Sequence, residues 1–159
     1  MSKVYLSKSR YCNWVQCEKI LWLNKYKPDV VMAEDKETIF ANGKKVGELA
    51  KGLFGDYEDI PFNKNLRVMI EKTEDLLKDK PNIITEASFS YNNNFCSVDI
   101  LKNDLDGVEI YEVKSSTHIE DKYIYLHDVA YQYFVLSNLG LNVKKACIFY
   151  LMELKLRQI

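Results

Sequence analysis

The sequence predicts a single α/β domain, on the evidence of its changing hydrophobic period and its length. Apolar residues in the first half recur at helical spacing, whereas residues 83–91, 95–101 and 108–114 alternate with the period of two that is typical of β-strands. A further helix ending at Gly140 and a strand over 143–151 follow. At 159 residues, the chain has the length of one domain.

The composition is that of a folded protein with a substantial core. Hydrophobic residues make up 47% of the chain, and 11 Tyr, 7 Phe and 2 Trp supply bulky core material, unlike the composition of disordered chains. The longest apolar runs are too short to span a membrane, and the polar N-terminus lacks the apolar segment of a secretory signal. The four cysteines form no C-x-x-C pair. We therefore expect a cytoplasmic protein with reduced thiols.

Charge is nearly balanced over the chain but uneven along it. The net charge is −1, so no global field attracts nucleic acid. Residues 1–27, however, carry six basic side chains against one acid, Glu18. This segment either presents a basic face to phosphates or forms the solvated face of a helix, and charge alone leaves both interpretations open.

The first predicted helix lies at the N-terminus. It is capped by Ser7 or Ser9, buries a broad apolar stripe that includes Trp14 and Trp22, and runs to about Asn24. The segment Lys27-Pro28-Asp29 ends it, because a residue before proline avoids the helical region.

Two further helices precede the strands. One signal begins at Asp35 and is either two short helices or one helix interrupted at Asn42-Gly43. Its second half places Glu48 opposite or beside an apolar face formed by Val46, Leu49, Ala50 and Leu53. After an extended or irregular connection over 56–63, the third helix runs from Leu66 to Lys78, and Pro81 marks its exit.

Three sequential strands come next, and the last two form a predicted β-hairpin. An asparagine turn at 92–94 joins the first strand to the second, and the turn formers of 102–107 join the second to the third. After a polar loop, residues 121–126 are ambiguous between helix and strand.

A helix starting at His127 or Asp128 then leads to a fully buried last strand, which is expected to join the sheet through a crossover. The buried side of this helix is predicted to carry Val129, Ala130, Tyr133, Phe134 and Ser137. The tail over 152–159 is charged.

The hairpin carries the candidate chemistry. Glu112 and Lys114 are two apart on one strand and project to the same face, and Asp99 lies on the neighbouring strand within cross-strand reach. Carboxylate oxygens hold Mg²⁺ or Mn²⁺, which activates water and phosphoryl groups, and a lysine can neutralise developing charge. The alternative is a surface hairpin whose alternating charges only form its solvated face.

Two other polar residues stand out. Gln132 interrupts an apolar, aromatic run; if it is buried it needs a hydrogen-bond partner, and the alternative is a surface Gln. Glu86 on the first strand either approaches the hairpin residues in a supporting role or faces solvent.

The order of these elements resembles the PD-(D/E)XK nuclease superfamily. More narrowly it is similar to the RecB-like branch that includes CRISPR-associated exonucleases, and nearest to a little-characterised bacterial family with such a domain at its N-terminus. Five strings that together span nearly the whole chain carry the resemblance: residues 16–23 (QCEKILWL), 43–50 (GKKVGELA), 97–101 (SVDIL), 112–115 (EVKS) and 128–132 (DVAYQ).

The resemblance implies a restriction-endonuclease-like fold, a central mixed β-sheet flanked by helices, over residues 1–159. It implies that Asp99 and Glu112 are metal ligands together with the carbonyl of Val113, and that Lys114 is the catalytic lysine. Gln132 matches the Gln of a Q-x-x-x-Y motif that lines the DNA-facing side of the site. The implied cofactor is Mg²⁺ or Mn²⁺, and the implied partner is DNA, either single-stranded or at a duplex end.

This sequence departs from the family pattern at three places. Position 136, where the motif has Tyr, is Leu136, and Tyr131 or Tyr133 would have to substitute. The usual histidine of the first helical motif is missing, and Glu48 falls about where it would be as a metal ligand.

The third departure concerns Cys17, which taken alone reads as a small buried residue. It matches the first cysteine of the iron–sulfur version, whose three further cysteines are absent after the last strand. We therefore expect no cluster in this chain, which is either a cluster-free member or a piece of a longer protein.

The expected function is a metal-dependent nuclease that hydrolyses DNA phosphodiester bonds through a metal-activated water. A catalytically inactive nucleic-acid-binding or protein-docking module with the same fold is the alternative, and a purely structural domain of a longer protein is a third. The choice between DNA and RNA, the mode of cleavage and the oligomeric state stay open.

Overall fold

The computed structural model describes residues 5–31, 36–115 and 122–150 and has a mixed β-sheet flanked by helices. This confirms the predicted α/β class. In chain order the elements are β1 (Leu6–Ser7), α1 (Lys8–Gln16), α2 (Glu18–Tyr26), α3 (Pro28–Val31), α4 (Lys36–Gly52), β2 (Glu58–Asp59), α5 (Leu66–Asp79), β3 (Ile83–Tyr91), β4 (Asn94–Asp104), β5 (Gly107–Lys114), α6 (Lys122–Asn138) and β6 (Val143–Tyr150).

The strands of the described residues form one sheet in the order β2-β3-β4-β5-β6, and β1 pairs with β4. The segment β3-β4-β5 is antiparallel, as expected for consecutive hairpins, whereas β2 pairs with β3 and β6 with β5 in parallel. The helix α6 makes the crossover between β5 and β6, which confirms the predicted connection. The prediction that the last strand is fully buried is wrong, because β6 lies at the end of this strand order and exposes Lys144 and Lys145.

The N-terminal helix is broken where one continuous helix was predicted. The Ser7 Oγ accepts a hydrogen bond from the Arg10 amide, as a cap should. At Cys17 the backbone is extended, with φ −164° and ψ 119°, so α1 ends and α2 starts again at the next residue. No Gly or Pro marks this break, and the apolar period alone could not reveal it. The expected buried stripe is also wrong, since Trp14 and Trp22 are about half exposed.

The helix α4 is continuous through Asn42-Gly43, so the predicted interruption is absent; its predicted start at Asp35 lies outside the described residues. Only part of its predicted apolar face is buried: Val46 and Ala50 pack inward, whereas Leu49 and Leu53 are exposed. The helix α5 agrees with its prediction to within one residue and buries Met69 and Thr73.

The helix α6 begins at Lys122, earlier than predicted, and it buries a different face. Of the residues predicted to be buried, Val129 is buried and Ser137 is partly buried, whereas Ala130, Tyr133 and Phe134 are exposed. An inward face at spacings of three and four residues packs on the sheet: Asp128, Tyr131, Gln132, Val135 and Leu136. The prediction followed the aromatic residues, whereas the buried face includes two polar ones.

Two core clusters cover the two faces of the sheet. The larger contains residues of α5 and α6 with Ile84, Leu101 and Ile110, and the smaller joins Ala50 of α4 to Ile83 and Ile100. Within the described residues, no helix is both long enough and apolar enough to cross a membrane.

Candidate functional site

A cavity of about 920 Å³ opens between α4 and the central strands. Its lining includes five of the six predicted site residues, namely Glu48, Asp99, Glu112, Val113 and Lys114. The sixth, Gln132, is fully buried on α6 and contacts this group from beneath. Residues from four elements, α4, β4, β5 and α6, therefore converge on one place.

The sheet reverses its side-chain directions where Asp99 lies. On β4, Val98 and Leu101 pack into the same core cluster, although residues three apart on a regular strand point to opposite faces. The ladder to β3 passes from Ile100 directly to Val98, and the opposing Glu86 has a positive φ of 55°. Asp99 thus stands at a local irregularity of the sheet, a type of feature that re-aims a side chain.

The carboxylate of Asp99 is fixed by β5. Its Oδ2 accepts a hydrogen bond of 2.7 Å from the backbone amide of Val113, the residue between Glu112 and Lys114. The cross-strand approach predicted from the sequence is therefore confirmed.

Glu112 and Lys114 are in direct contact. The Lys114 Nζ lies 2.7 Å from Glu112 Oε1, as two residues on the same face of one strand permit. Glu112 is only 3% exposed, so this is a buried charged group that needs partners. The hairpin is not a solvated surface hairpin at this end.

Two further charged residues join Asp99, Glu112 and Lys114 in one charged cluster. Neither was among the predicted site residues. Asp128 of α6 lies 2.6 Å from Lys114 Nζ, and Lys8 of α1 lies 2.7 Å from Glu112 Oε2 and 3.2 Å from Asp128 Oδ1. Asp128 had a detectable signal, since it precedes Gln132 by four residues and shares its helical face. Lys8 belongs to the basic segment 1–27, but no sequence pattern links it to Glu112, which is 104 residues away.

Gln132 is the buried Gln that the sequence left undecided, and it has partners. Its Nε2 donates to Glu112 Oε2 at 2.6 Å and to Asp128 Oδ1 at 3.0 Å. Its Oε1 is buried and has no hydrogen-bond partner among the described residues. The amide therefore orients the two carboxylates and leaves one acceptor unused at the same place.

Burial and charge shift the acidities of this cluster. Burial raises the pKa of Asp99 and of Glu112 above their ordinary values, although the Lys8 ammonium opposes the shift. Burial acts in the same sense on Asp128, but Lys8 and Lys114 outweigh it and lower the pKa of that carboxyl. For Lys8 and Lys114, burial is outweighed by the carboxylates, led by Glu112, so their pKa values rise and both stay charged.

The cavity as a whole is anionic. Five carboxylates and two ammonium groups line it, a formal charge of −3: Glu48, Asp59, Glu86, Asp99, Glu112, Lys51 and Lys114. Carboxylate oxygens with excess negative charge are the donors that Mg²⁺ and Mn²⁺ prefer, so the donor chemistry fits such an ion. Among the described residues, however, no three Asp, Glu, His or Cys side chains stand together at ligand spacing.

The predicted substitutes for missing family residues do not contact the cluster. Glu48 is exposed at the cavity rim, 3.7 Å from Lys51 Nζ. The hydroxyl of Tyr131 donates to the Leu6 carbonyl at 2.6 Å, Tyr133 is half exposed, and Leu136 is fully buried in the core. None of these three residues of α6 lines the cavity.

All four cysteines are free, and Cys17 is exposed at the junction of α1 and α2 instead of buried. No family model matches this chain, and no curated protein matches it either.

Proposed function

We propose that this chain is a metal-dependent nuclease that hydrolyses DNA phosphodiester bonds, with Mg²⁺ or Mn²⁺ as its ion. One observation carries the proposal: Glu112 and Lys114 contact each other at 2.7 Å while Asp99 binds the amide of the residue between them, at the wall of an anionic cavity. This is the arrangement that the resemblance to PD-(D/E)XK nucleases requires, and the restriction-endonuclease-like fold is part of the same proposal. We assign the protein to the cytoplasm, which its four free cysteines favour.

The charge of the cavity supports dependence on a metal. A lining with a formal charge of −3 repels the phosphates of a nucleic acid unless a cation is bound there. When bound, a divalent ion supplies Lewis-acid charge for a phosphoryl oxygen and lowers the pKa of a coordinated water. Asp99 and Glu112 are the carboxylates assigned to hold it, with the Val113 carbonyl as a further donor.

The remaining residues have separable roles. Lys114, whose ammonium stays charged, neutralises the negative charge that develops on the phosphoryl oxygens in the transition state. Gln132 holds the Glu112 carboxylate through its Nε2 and thereby keeps it aimed at the cavity. The Val113 amide does the same for Asp99.

The test is cleavage of 5′-labelled single-stranded DNA and of duplex DNA in Mn²⁺. Asp99→Ala and Glu112→Gln should each abolish cleavage while keeping the native circular dichroism spectrum, because each removes a carboxylate assigned to the ion. The matched control is Glu109→Gln on the same strand, where the carboxylate binds the Tyr111 hydroxyl away from the cavity; it should cleave normally. Full activity in Glu112→Gln would refute the assignment.

A second candidate, an inactive nucleic-acid-binding or protein-docking module, is favoured by the saturation of Glu112. Its carboxylate already accepts from Lys8, Lys114 and Gln132. In this case the protein would bind no Mn²⁺ at millimolar concentration, would cleave neither substrate, and would still shift DNA in a gel.

A further inference from the structure

One ammonium group reaches the site from outside the strands that carry the predicted motif. Lys8 is the first residue of α1, and its side chain, only 14% exposed, ends between Glu112 Oε2 at 2.7 Å and Asp128 Oδ1 at 3.2 Å. It therefore bridges a carboxylate of β5 and a carboxylate of α6 at a single point.

The side chains around that point carry a net negative charge when Lys8 is not counted. Glu112 and Asp128 share Lys114, so without Lys8 this group of three carries a formal charge of −1, and the neighbouring Asp99 makes it more negative. The Gln132 amide touches both carboxylates, and its Oε1 in the same cluster is fully buried without a partner among the described residues. A buried oxygen that accepts no hydrogen bond can act as a ligand for a cation, and this oxygen belongs to the amide that contacts both carboxylates.

We propose that the Lys8 ammonium marks a cation-binding position between Glu112 and Asp128, so that Asp128 is a cation ligand and a divalent ion binds there only when Lys8 withdraws. The identity of the ion rests on the proposed function. The exclusion follows from space and charge: Mg²⁺ binds oxygen at about 2.0–2.1 Å, and an ion at that distance from both carboxylates occupies the position of the ammonium.

The exchange requires movement of one side chain and not of the helix. The helix α1 is held by the Tyr11 hydroxyl, 2.8 Å from His127 Nδ1, and by the stacking of Tyr11 on Tyr131. These contacts do not involve Lys8. The flexible four-carbon stem of a lysine can therefore swing out of the cluster while α1 stays docked.

The test is isothermal titration of the full chain with Mn²⁺. Lys8→Met removes the competing charge and keeps the apolar stem, so we expect a Mn²⁺ affinity about tenfold or more above that of the unchanged protein, because the binding-competent state becomes fully populated. The matched control is Lys51→Met. Lys51 is buried to a similar degree, at 12% exposed, and lines the cavity that Glu112 also lines. It pairs with Asp59 and neighbours Glu48 and Glu86 instead of Glu112 and Asp128.

Adding Asp128→Asn to Lys8→Met should abolish the gain in affinity. An affinity unchanged by Lys8→Met, an equal gain in Lys51→Met, or a gain that survives Asp128→Asn would each overturn the proposal. An equal gain in Lys51→Met would show that loss of any nearby ammonium acts alike, and a gain that survives Asp128→Asn would show that Asp128 is not a ligand.

A measurement on the unchanged protein covers the case in which Lys8→Met does not fold. Amine acetylation followed by mass spectrometry should show Lys8 protected without Mg²⁺ and reactive with it, while Lys51 does not change. Equal protection of Lys8 in both conditions would overturn the proposal. The nuclease assay is separate: tighter Mn²⁺ binding in Lys8→Met without any DNA cleavage would contradict the proposed function and leave this inference standing, and cleavage without the binding change would do the reverse.

Discussion

Asp128→Asn should destabilise the protein strongly, because the Asp128 carboxylate is shared by two buried ammonium groups. Its oxygens lie 2.6 Å from Lys114 Nζ and 3.2 Å from Lys8 Nζ, and its side chain is 10% exposed. Removing one partner of a buried ion pair costs about 3–5 kcal/mol. Because Glu112 remains to compensate both lysines, we take the lower end, about 3 kcal/mol, which corresponds to a decrease in Tm of about 6–12 °C for a chain of this size.

The stability that Asp128 contributes should depend on pH in one direction. The folded state lowers the pKa of Asp128, so its stabilising contribution is present at neutral pH and is lost as the pH falls from the ordinary carboxyl value through the folded one. The difference in free energy of unfolding between the two proteins should therefore be full near pH 7 and shrink below about pH 4.

The assay is urea unfolding followed by circular dichroism at several pH values. The control is Asp104→Asn, which changes an exposed carboxylate that pairs with Lys144 at 2.9 Å and should alter Tm little, since surface pairs contribute little. A stability within about 1 kcal/mol of the unchanged protein at pH 7, or a difference independent of pH, would refute the view that Asp128 holds the two lysines together.

Two other experiments test the carboxylates of the site and the β4–β5 turn. The pKa values of Asp99 and Glu112 are raised, so both carboxyls begin to take up protons at a higher pH than ordinary carboxyls do. As the pH is lowered, the Mn²⁺ affinity measured by titration calorimetry should therefore begin to fall while the pH is still above about 4.5. An affinity that does not change down to that pH would contradict this expectation. Gly107→Ala should lower Tm by several degrees in a thermal melt, because φ is +146° and an added Cβ would clash with the backbone oxygen of Asn142; an unchanged Tm would show that the β4–β5 turn relaxes freely.

The strands and the predicted catalytic pair could be read from the sequence because local rules govern them. Alternation of period two located β3, β4 and β5, and it placed Glu112 and Lys114 on one face of β5. The same reasoning put Asp99 within reach, and the amide of Val113 confirms that position. These relations depend on neighbours along one strand or on the adjoining hairpin.

Helix faces and breaks were harder to predict. The break at Cys17 has no Gly or Pro to signal it, and the buried face of α6 carries Gln132 and Asp128 while Tyr133 and Phe134 stay exposed. Hydrophobic period predicts the inward face only where that face is apolar. In α6 the inward polar groups have partners on β5 and α1, which no property of the helix itself reveals.

Local sequence pattern was enough to predict the α/β class, the three consecutive strands β3, β4 and β5, and the carboxylates and lysine of the hairpin, whereas the short strands β1 and β2 were not predicted. The surroundings of these residues depend on the fold: Lys8 enters the cluster from α1, Asp128 and not Glu48 contacts it, and Gln132 is buried against both carboxylates. The physical reason is that charge pairs across a folded core depend on distance in space. Lys8 and Glu112, 104 residues apart, share no period or motif and meet only when α1 and α6 close over the sheet.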